Sequence, residues 1–464
     1  MELSVIYSRA LAGIDAPAVR VETHIDNGMP CFHIVGLPET AVRESKDRVR
    51  SALVNSHFSF PSDQRITVNL APADLPKEGG GFDLPIALGI LIATGQLEAK
   101  EIARYEFLGE LALDGSLRPV PGILPAAVQA TAAGRRLALP RECASLATRV
   151  PASHTVAAAD LLTLCAHLNG NQVIEPLAPI KDIPSYNYPD LVDVVGQASA
   201  RRALEIAAAG THNLLYFGPP GTGKTLLASR LPGILPQPTP EEALTGLALH
   251  SLSAHSGSPQ YYRRPFRAPH HTATPAALVG GGSRPSPGEI SLAHGGVLFL
   301  DELPEFSRYT LEVLREPLES GQITISRARH KVTYPARFQL VAAMNPCPCG
   351  YRGDSERHCR CGDEQVRRYR QRISGPLLDR IDLHVKMPRI PSTTLLAPTG
   401  KAEASAAVRE RVCRARAVQQ DRQAMVNALL PPKALEQHCP LGRGERRSLE
   451  RAAERMKLSA RALH

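Results

Sequence analysis

The chain has no tryptophan, and aromatic residues make up only 5% of its 464 positions. It also lacks any apolar run approaching the roughly 20 residues a membrane helix needs, so a membrane span is not expected. The start, MELSVIYSRALAGIDAP, has no basic stretch leading into a long apolar core and does not read as a secretory signal. Cysteine is sparse for a disulfide scaffold: five of the nine (Cys31, Cys143, Cys165, Cys413, Cys439) are scattered singly. A reducing cytoplasm is therefore the expected location. No internal repeat and no low-complexity tract is present.

What is there suits a soluble enzyme of two to three domains. Hydrophobic residues make up 43%, and the net charge is +9. The charge is uneven. Residues 401–464 hold 14 Lys and Arg against 7 Asp and Glu. Excess positive charge favours a polyanionic partner such as nucleic acid, although a solvated basic helix face would have the same composition.

Short apolar runs punctuated by Gly and Pro fill residues 1–175. RITVNLAP and RRLALP predict strands, and FDLPIALGILIATG predicts a buried helix closed by glycine. Residues 176–190 are proline-rich and aperiodic, as a linker would be. Strands and helices alternate again over 191–390. Residues 391–464 are Ala-, Arg-, Glu- and Leu-rich and predict helices.

NLLYFGPPGTGKTLLASRL contains a complete G-x-x-x-x-G-K-T, comprising Gly218, Pro219, Pro220, Gly221, Thr222, Gly223, Lys224 and Thr225. It follows an apolar strand and precedes a helix, the context in which backbone N–H groups wrap phosphates. Lys224 is expected at the β- and γ-phosphates of ATP, and Thr225 at Mg²⁺. GGVLFLDELPEF is the matching acidic strand. Asp301 suits a water-mediated Mg²⁺ contact, and Glu302 suits the base that orients the attacking water. FQLVAAMNP ends in Asn345, whose amide can meet that water or the γ-phosphate. GPLLDRIDLHV offers Arg380 as an arginine finger; the plainer reading is a local ion pair with Asp379 or Asp382.

The phosphate loop, LDE, AMNP and LLDR in this order resemble the AAA+ ATPases of the magnesium-chelatase-like branch. GLPETAVRESKDRVRSAL, PADLPKEGGGFDLPIALGIL, PFRAPHHTAT, ELPEFSRYTLEVLREPLE and NPCPCGY resemble the competence-associated ComM (YifB-type) family. The resemblance runs over nearly the whole chain. It implies an α/β architecture in three parts. These are a Lon-protease-like α/β domain (1–175), an AAA+ P-loop core with a parallel sheet (191–390) and a small helical lid (391–464) that looks truncated. It further implies a ring-forming homo-oligomer, a hexamer, that hydrolyses ATP with Mg²⁺. Its partner would be single-stranded or branched DNA, with helicase or branch-migration activity in natural transformation and recombination. A chelatase-type motor subunit for Mg²⁺ insertion into a porphyrin and an ATP-regulated scaffold are the alternatives.

The same resemblance gives roles to further residues. GQITISRARHKVTYPARF looks like a hairpin facing a central channel, with Arg327, Arg329 and Lys331 as DNA contacts. KLSARALH looks like the lid motif whose arginine, here Arg461, touches the γ-phosphate. His270 and His271 do not read as a metal pair, since adjacent side chains diverge and no carboxylate or cysteine lies close in sequence. The Lon nucleophile position falls on Gly81 and its lysine position on Ala126, so the Ser–Lys dyad is absent.

Four cysteines remain: Cys347, Cys349, Cys359 and Cys361, spaced CxC, nine residues, CxC. Four thiolates in that pattern can hold a structural Zn²⁺ within an insertion over 347–361. Free thiols and a redox pair are the other readings. Seven arginines against four acids lie over residues 351–372, so the insertion's flank is basic.

Overall fold

The computed structural model describes residues 3–98, 101–178, 186–253, 261–282, 285–326, 331–391, 393–394, 402–456 and 458–463. The chain divides into two compact units, Met1–Ile183 with Leu247–Tyr261 and Pro184–Gly246 with Tyr262–His464.

In the first unit β1 (Leu3–Arg9), β2 (Ala18–Asp26), β3 (Cys31–Val35) and β4 (Arg65–Ala71) form a mixed sheet in the order β1-β2-β4-β3. Alternation decides which face is buried: Ile66, Val68 and Leu70 point inward while Arg65, Thr67 and Asn69 do not. Helix α1 (Ser45–Asn55) packs on α2 (Asp83–Ala93), and α2 covers β1 and β2. Helix α2 is apolar on every side because it is buried on every side up to Leu91. Each Leu or Ile so buried contributes about 1.5–3 kcal/mol. Gly89 is required there, since a Cβ would collide with Thr23 Oγ1. Asp83 heads α2 and is fully buried. It accepts from Ser45 Oγ, and from Arg48 Nε at 2.7 Å. Burial still pushes its pKa up, against the pull of Arg48.

A second small sheet, β5 (Tyr105–Phe107), β6 (Arg136–Pro140) and β7 (Thr155–Ala158), is parallel throughout. Gly81 sits in the turn into α2, and Ala126 lies on α3 (Ile123–Ala132). Both are buried and provide neither hydroxyl nor amine.

The second unit is built on a five-stranded parallel sheet. Its strands are β8 (Leu214–Phe217), β9 (Phe266–Arg267), β10 (Val297–Leu300), β13 (Gln339–Met344) and β14 (Leu383–Lys386), in the order β9-β10-β13-β8-β14. Buried strand β10 and, after its buried Gln339, strand β13 read as unbroken apolar or small runs, as strands covered on both faces must. Before β13 stands an antiparallel hairpin of β11 (Gln322–Ser326) and β12 (Lys331–Pro335). Ile323, Ile325 and Tyr334 face inward, and Gln322, Thr324 and Ser326 face out. Lys331 is exposed at the start of β12, whereas Arg327 and Arg329 lie outside the described residues.

Helix α4 (Ala198–Gly210) packs on the sheet and on the long helix α9 (Ser405–Gln423). Val408 and Val412 of α9 are buried, and Arg411 pairs with Glu205 of α4 at 2.7 Å. Further helices follow at Pro432–His438, α10 (Arg443–Met456) and α11 (Ala460–Leu463). No helix among the described residues is long and apolar enough to cross a membrane.

Candidate nucleotide site

Parallel strands place their C-terminal ends on one edge of a sheet, and ligands gather there. The loop Gly218–Gly223 leaves β8 on that edge and enters α5 (Lys224–Ala228). Gly221 (φ +79°) and Gly223 (φ +87°) take left-handed conformations that a side chain resists. Gly218 is fixed by packing instead, because a Cβ would strike the Met387 carbonyl.

Lys224 Nζ donates to Gly218 O at 2.8 Å, Pro219 O at 2.9 Å and Asn345 Oδ1 at 3.1 Å. Lysine only donates, so the amide oxygen of Asn345 faces it and the amide nitrogen is left to meet an acceptor. Burial lowers the Lys224 pKa, and the carboxylates of Asp301 and Glu302 oppose that shift. The strand order explains the meeting. β13, which ends one residue before Asn345, lies between β8 and β10, so Asn345 emerges between the phosphate loop and the acidic pair.

Thr225 Oγ1 donates to Asp301 Oδ2 at 2.6 Å. A hydroxyl and a carboxylate thus converge on one point, a donor set that suits a hard, oxygen-seeking Mg²⁺. Asp301 Oδ1 accepts from the Glu302 backbone N–H at 2.9 Å. Glu302 has φ +50°, a left-handed backbone that is strained for a residue with a side chain. Its Oε2 lies 3.4 Å from His271 Nδ1. Sequence proximity could not show this: the carboxylate near His271 comes from a strand thirty residues on. The rings of His270 and His271 lie 4.1 Å apart, and the His271 ring meets Phe306 edge-on. His271 is the site residue that motif reading overlooks.

Arg380 pairs with neither Asp379 nor Asp382. Its Nη2 pairs with Glu319 and its Nη1 donates to Pro376 O at 2.6 Å. Asp379 accepts from Ser459, and Asp382 accepts from the Asn213 N–H at 3.1 Å. Arg461 Nη1 lies 3.8 Å from Glu319 Oε1. The two arginines therefore share one carboxylate.

The cysteine cluster begins two residues past Asn345. Cys347, Cys349 and Cys359 sulfurs lie 3.4 to 3.6 Å apart, and all four sulfurs lie within 4.8 Å of one another. A disulfide would need about 2.05 Å. A tetrahedron with Zn–S bonds of about 2.3 Å has edges of roughly 3.8 Å, close to this spacing. The Tyr351 backbone N–H is the main cause that lowers the pKa of the Cys349 thiol to about 6, while those of Cys359 and Cys361 beside it are raised. Among the described residues no other group of three or more His, Cys, Asp or Glu could hold a metal.

The insertion runs on into α7 (Asp363–Gln371). Most of its arginines have work within the protein. Arg352 pairs with Asp363 at 2.8 Å, Arg357 lies over the Tyr351 ring, and Arg372 pairs with Glu305 at 2.9 Å. Arg367 and Arg368 pair with Glu364 at 3.4 and 3.1 Å on the exposed face of α7, and Arg360 is exposed.

Known proteins match this chain along its full length. The competence protein ComM of Haemophilus influenzae is 50% identical over 474 residues, covering 100% of this chain and 92% of that protein. The chain belongs to the ComM/YifB family. The YifB proteins of Salmonella typhimurium and Escherichia coli are 51% and 50% identical, again over 100% of this chain and 91% of theirs. The family described as magnesium chelatase, subunit ChlI, matches residues 190–395; two related families, subunit ChlI of Mg-chelatase and the subunit ChlI C-terminal region, match 21–143 and 402–464. The ComM/YifB family is thus a magnesium-chelatase-like branch of the AAA+ ATPases. The magnesium-chelatase 38 kDa subunit of Cereibacter sphaeroides is 27% identical over 174 residues, only 33% of this chain.

Proposed function

We propose that this chain is the ATP-hydrolysing subunit of a homo-oligomeric ring, hexameric in this reading, that moves single-stranded or branched DNA in the cytoplasm. The observation that carries it is the convergence of Lys224, Thr225, Asp301 and Asn345 at the edge of one parallel sheet. Lys224 and the loop N–H groups hold the phosphates. Thr225 and Asp301 hold Mg²⁺, which neutralises charge on the phosphates when bound. Glu302 accepts the proton of the attacking water, and Asn345 fixes that water against the γ-phosphate. Arg380 and Arg461, gathered at Glu319, serve a neighbouring subunit's nucleotide.

DNA as partner draws on three features. The hairpin β11–β12 carries Lys331 exposed at the start of its second strand, and the sequence that joins the two strands is RARH. The flank of the cysteine insertion exposes Arg360, Arg367 and Arg368. A relative at 50% identity over the full chain is a competence protein. Porphyrin metallation is the weaker reading, because the Cereibacter chelatase subunit aligns with only 33% of the chain. The four-cysteine cluster belongs to this reading as a closed, structural Zn²⁺ site, since four protein ligands leave no open position for chemistry. The Lon-like unit serves binding or assembly and has no peptidase dyad.

ATP turnover measured with and without a four-way DNA junction tests the proposal. A junction should raise turnover; turnover indifferent to any DNA would remove DNA as the partner.

A further inference from the structure

The four cysteines follow Asn345 in the chain, and the segment that carries them makes specific contacts with the nucleotide site. Between Met344 and Asp363 the chain has no helix or strand. Within residues 350–365 no apolar side chain is buried, so no hydrophobic core orders this segment. An irregular segment of this length needs another source of order. The converging sulfurs are that source.

What the segment touches is the phosphate-binding apparatus. Gly350 has φ +83°, and a Cβ there would stand 2.8 Å from Pro220 Cδ and 3.9 Å from Asn345 Cγ. The backbone at Gly350 therefore lies directly against the phosphate loop. Asp354 accepts from the Glu356 and Arg357 N–H groups at 2.8 and 2.9 Å, and from Arg389 at 3.1 Å. Arg389 follows Pro388, whose carbonyl shares Gln197 Nε2 with the carbonyl of Thr222 in the phosphate loop. Helix α7 starts two residues after Cys361 and turns back onto the same place. Arg370 donates twice to the carbonyl of Pro346, the residue after Asn345, at 3.3 and 3.2 Å, and Tyr369 beside it is buried. Asn345 in turn receives Lys224.

We infer that Zn²⁺ on Cys347, Cys349, Cys359 and Cys361 is a brace that fixes Asn345 and Pro220 in their working positions, making ATP turnover depend on a metal that never touches the nucleotide. The inference rests on the zinc reading above and adds a task to it. Binding converts thiols to four thiolates and releases their protons, with no change of oxidation state. The brace closes the segment at both ends: Cys347 lies two residues past Asn345, and Cys361 lies two residues before the helix whose Arg370 holds the Pro346 carbonyl beside Asn345. Without the metal, the origin of α7 is free, and Tyr369, Arg370 and Gly350 lose their fixed positions together.

The test uses the full chain. Metal content of protein purified without added zinc should be one Zn²⁺ per chain, and the Co²⁺-loaded protein should show the visible bands of a tetrahedral four-thiolate site. The double variant Cys359→Ser, Cys361→Ser should lose the metal. Its kcat for ATP should fall at least about tenfold, the scale on which outer-shell supports and misplaced groups act. The circular dichroism of the bulk of the protein should persist. Arg370→Met covers the case in which the cysteine variant does not fold: it should keep one Zn²⁺ and still lower kcat about tenfold. Wild-type protein that turns over ATP without bound zinc would overturn the zinc reading itself. A zinc-free cysteine variant, or a zinc-loaded Arg370→Met, with wild-type kcat would overturn the brace while leaving the zinc site standing. Absence of ATP turnover in wild-type protein carrying zinc would instead count against the ATPase reading.

Discussion

Lys224 Nζ lies 3.1 Å from Asn345 Oδ1, so the lysine of the glycine-rich loop and the residue that follows the neighbouring strand are tied by one polar contact. The lysine also caps the carbonyls of Gly218 and Pro219. Its positive charge thus sits among oxygen atoms where the phosphates of ATP are expected. Lys224→Ala removes that charge and leaves Asn345 without its partner. Turnover should fall at least about a hundredfold, as when one preorganised charge-stabilising donor is deleted. Steady-state ATP hydrolysis and far-UV circular dichroism together check it: activity should vanish and the spectrum should not.

Arg380 and Arg461 both reach Glu319, and Arg380 is the more enclosed of the two. Arg380→Ala should abolish most turnover while sparing nucleotide binding. Mixing Arg380→Ala subunits with Glu302→Gln subunits should restore part of the activity. The intact Glu302 of the first kind then faces the intact Arg380 of the second. Mixed rings as inactive as either parent would contradict action across a subunit boundary.

His271 holds Glu302 through a 3.4 Å contact, on a backbone already strained at φ +50°. His271→Ala should leave Glu302 free to rotate away from the position in which we propose it activates water. A fall in kcat of about tenfold, with the KM for ATP near wild type, is expected for a positioning residue. His271→Asn, which can still donate, should recover part of the loss.

How much of this was legible in the sequence follows from what each feature depends on. The phosphate loop, Asp301, Glu302 and Asn345 were legible because they are local: each lies at the end of a short apolar run, and a parallel sheet delivers such ends to one edge. The buried helix α2 was equally plain from DLPIALGILIA. The cysteine cluster could be read from spacing because two CxC pairs nine residues apart can bring four sulfurs within reach of one another. His271 was not legible, since its partner Glu302 arrives from another strand. Glu319 could not be foreseen as the partner of Arg380 either, because two acids, Asp379 and Asp382, stand nearer in sequence. The left-handed Gly350 against Pro220 was hidden for a similar reason: the contact exists only once β13 lies beside β8.

That glycine makes a sharp test of packing at the phosphate loop. Gly350→Ala places a methyl group against Pro220 and adds about 1–2 kcal/mol of left-handed backbone strain. Nucleotide affinity should weaken about tenfold, with thiol content and secondary structure unchanged. Fluorescent-nucleotide titration is the direct measurement.

The central claim, an ATP-driven motor on DNA, is tested most directly by strand exchange from a labelled four-way junction. Wild-type protein with ATP and Mg²⁺ should move the junction and release recombined duplexes, while Lys224→Ala should bind the junction without moving it. A wild-type ring that hydrolyses ATP yet leaves the junction in place, with or without added DNA, would contradict the account.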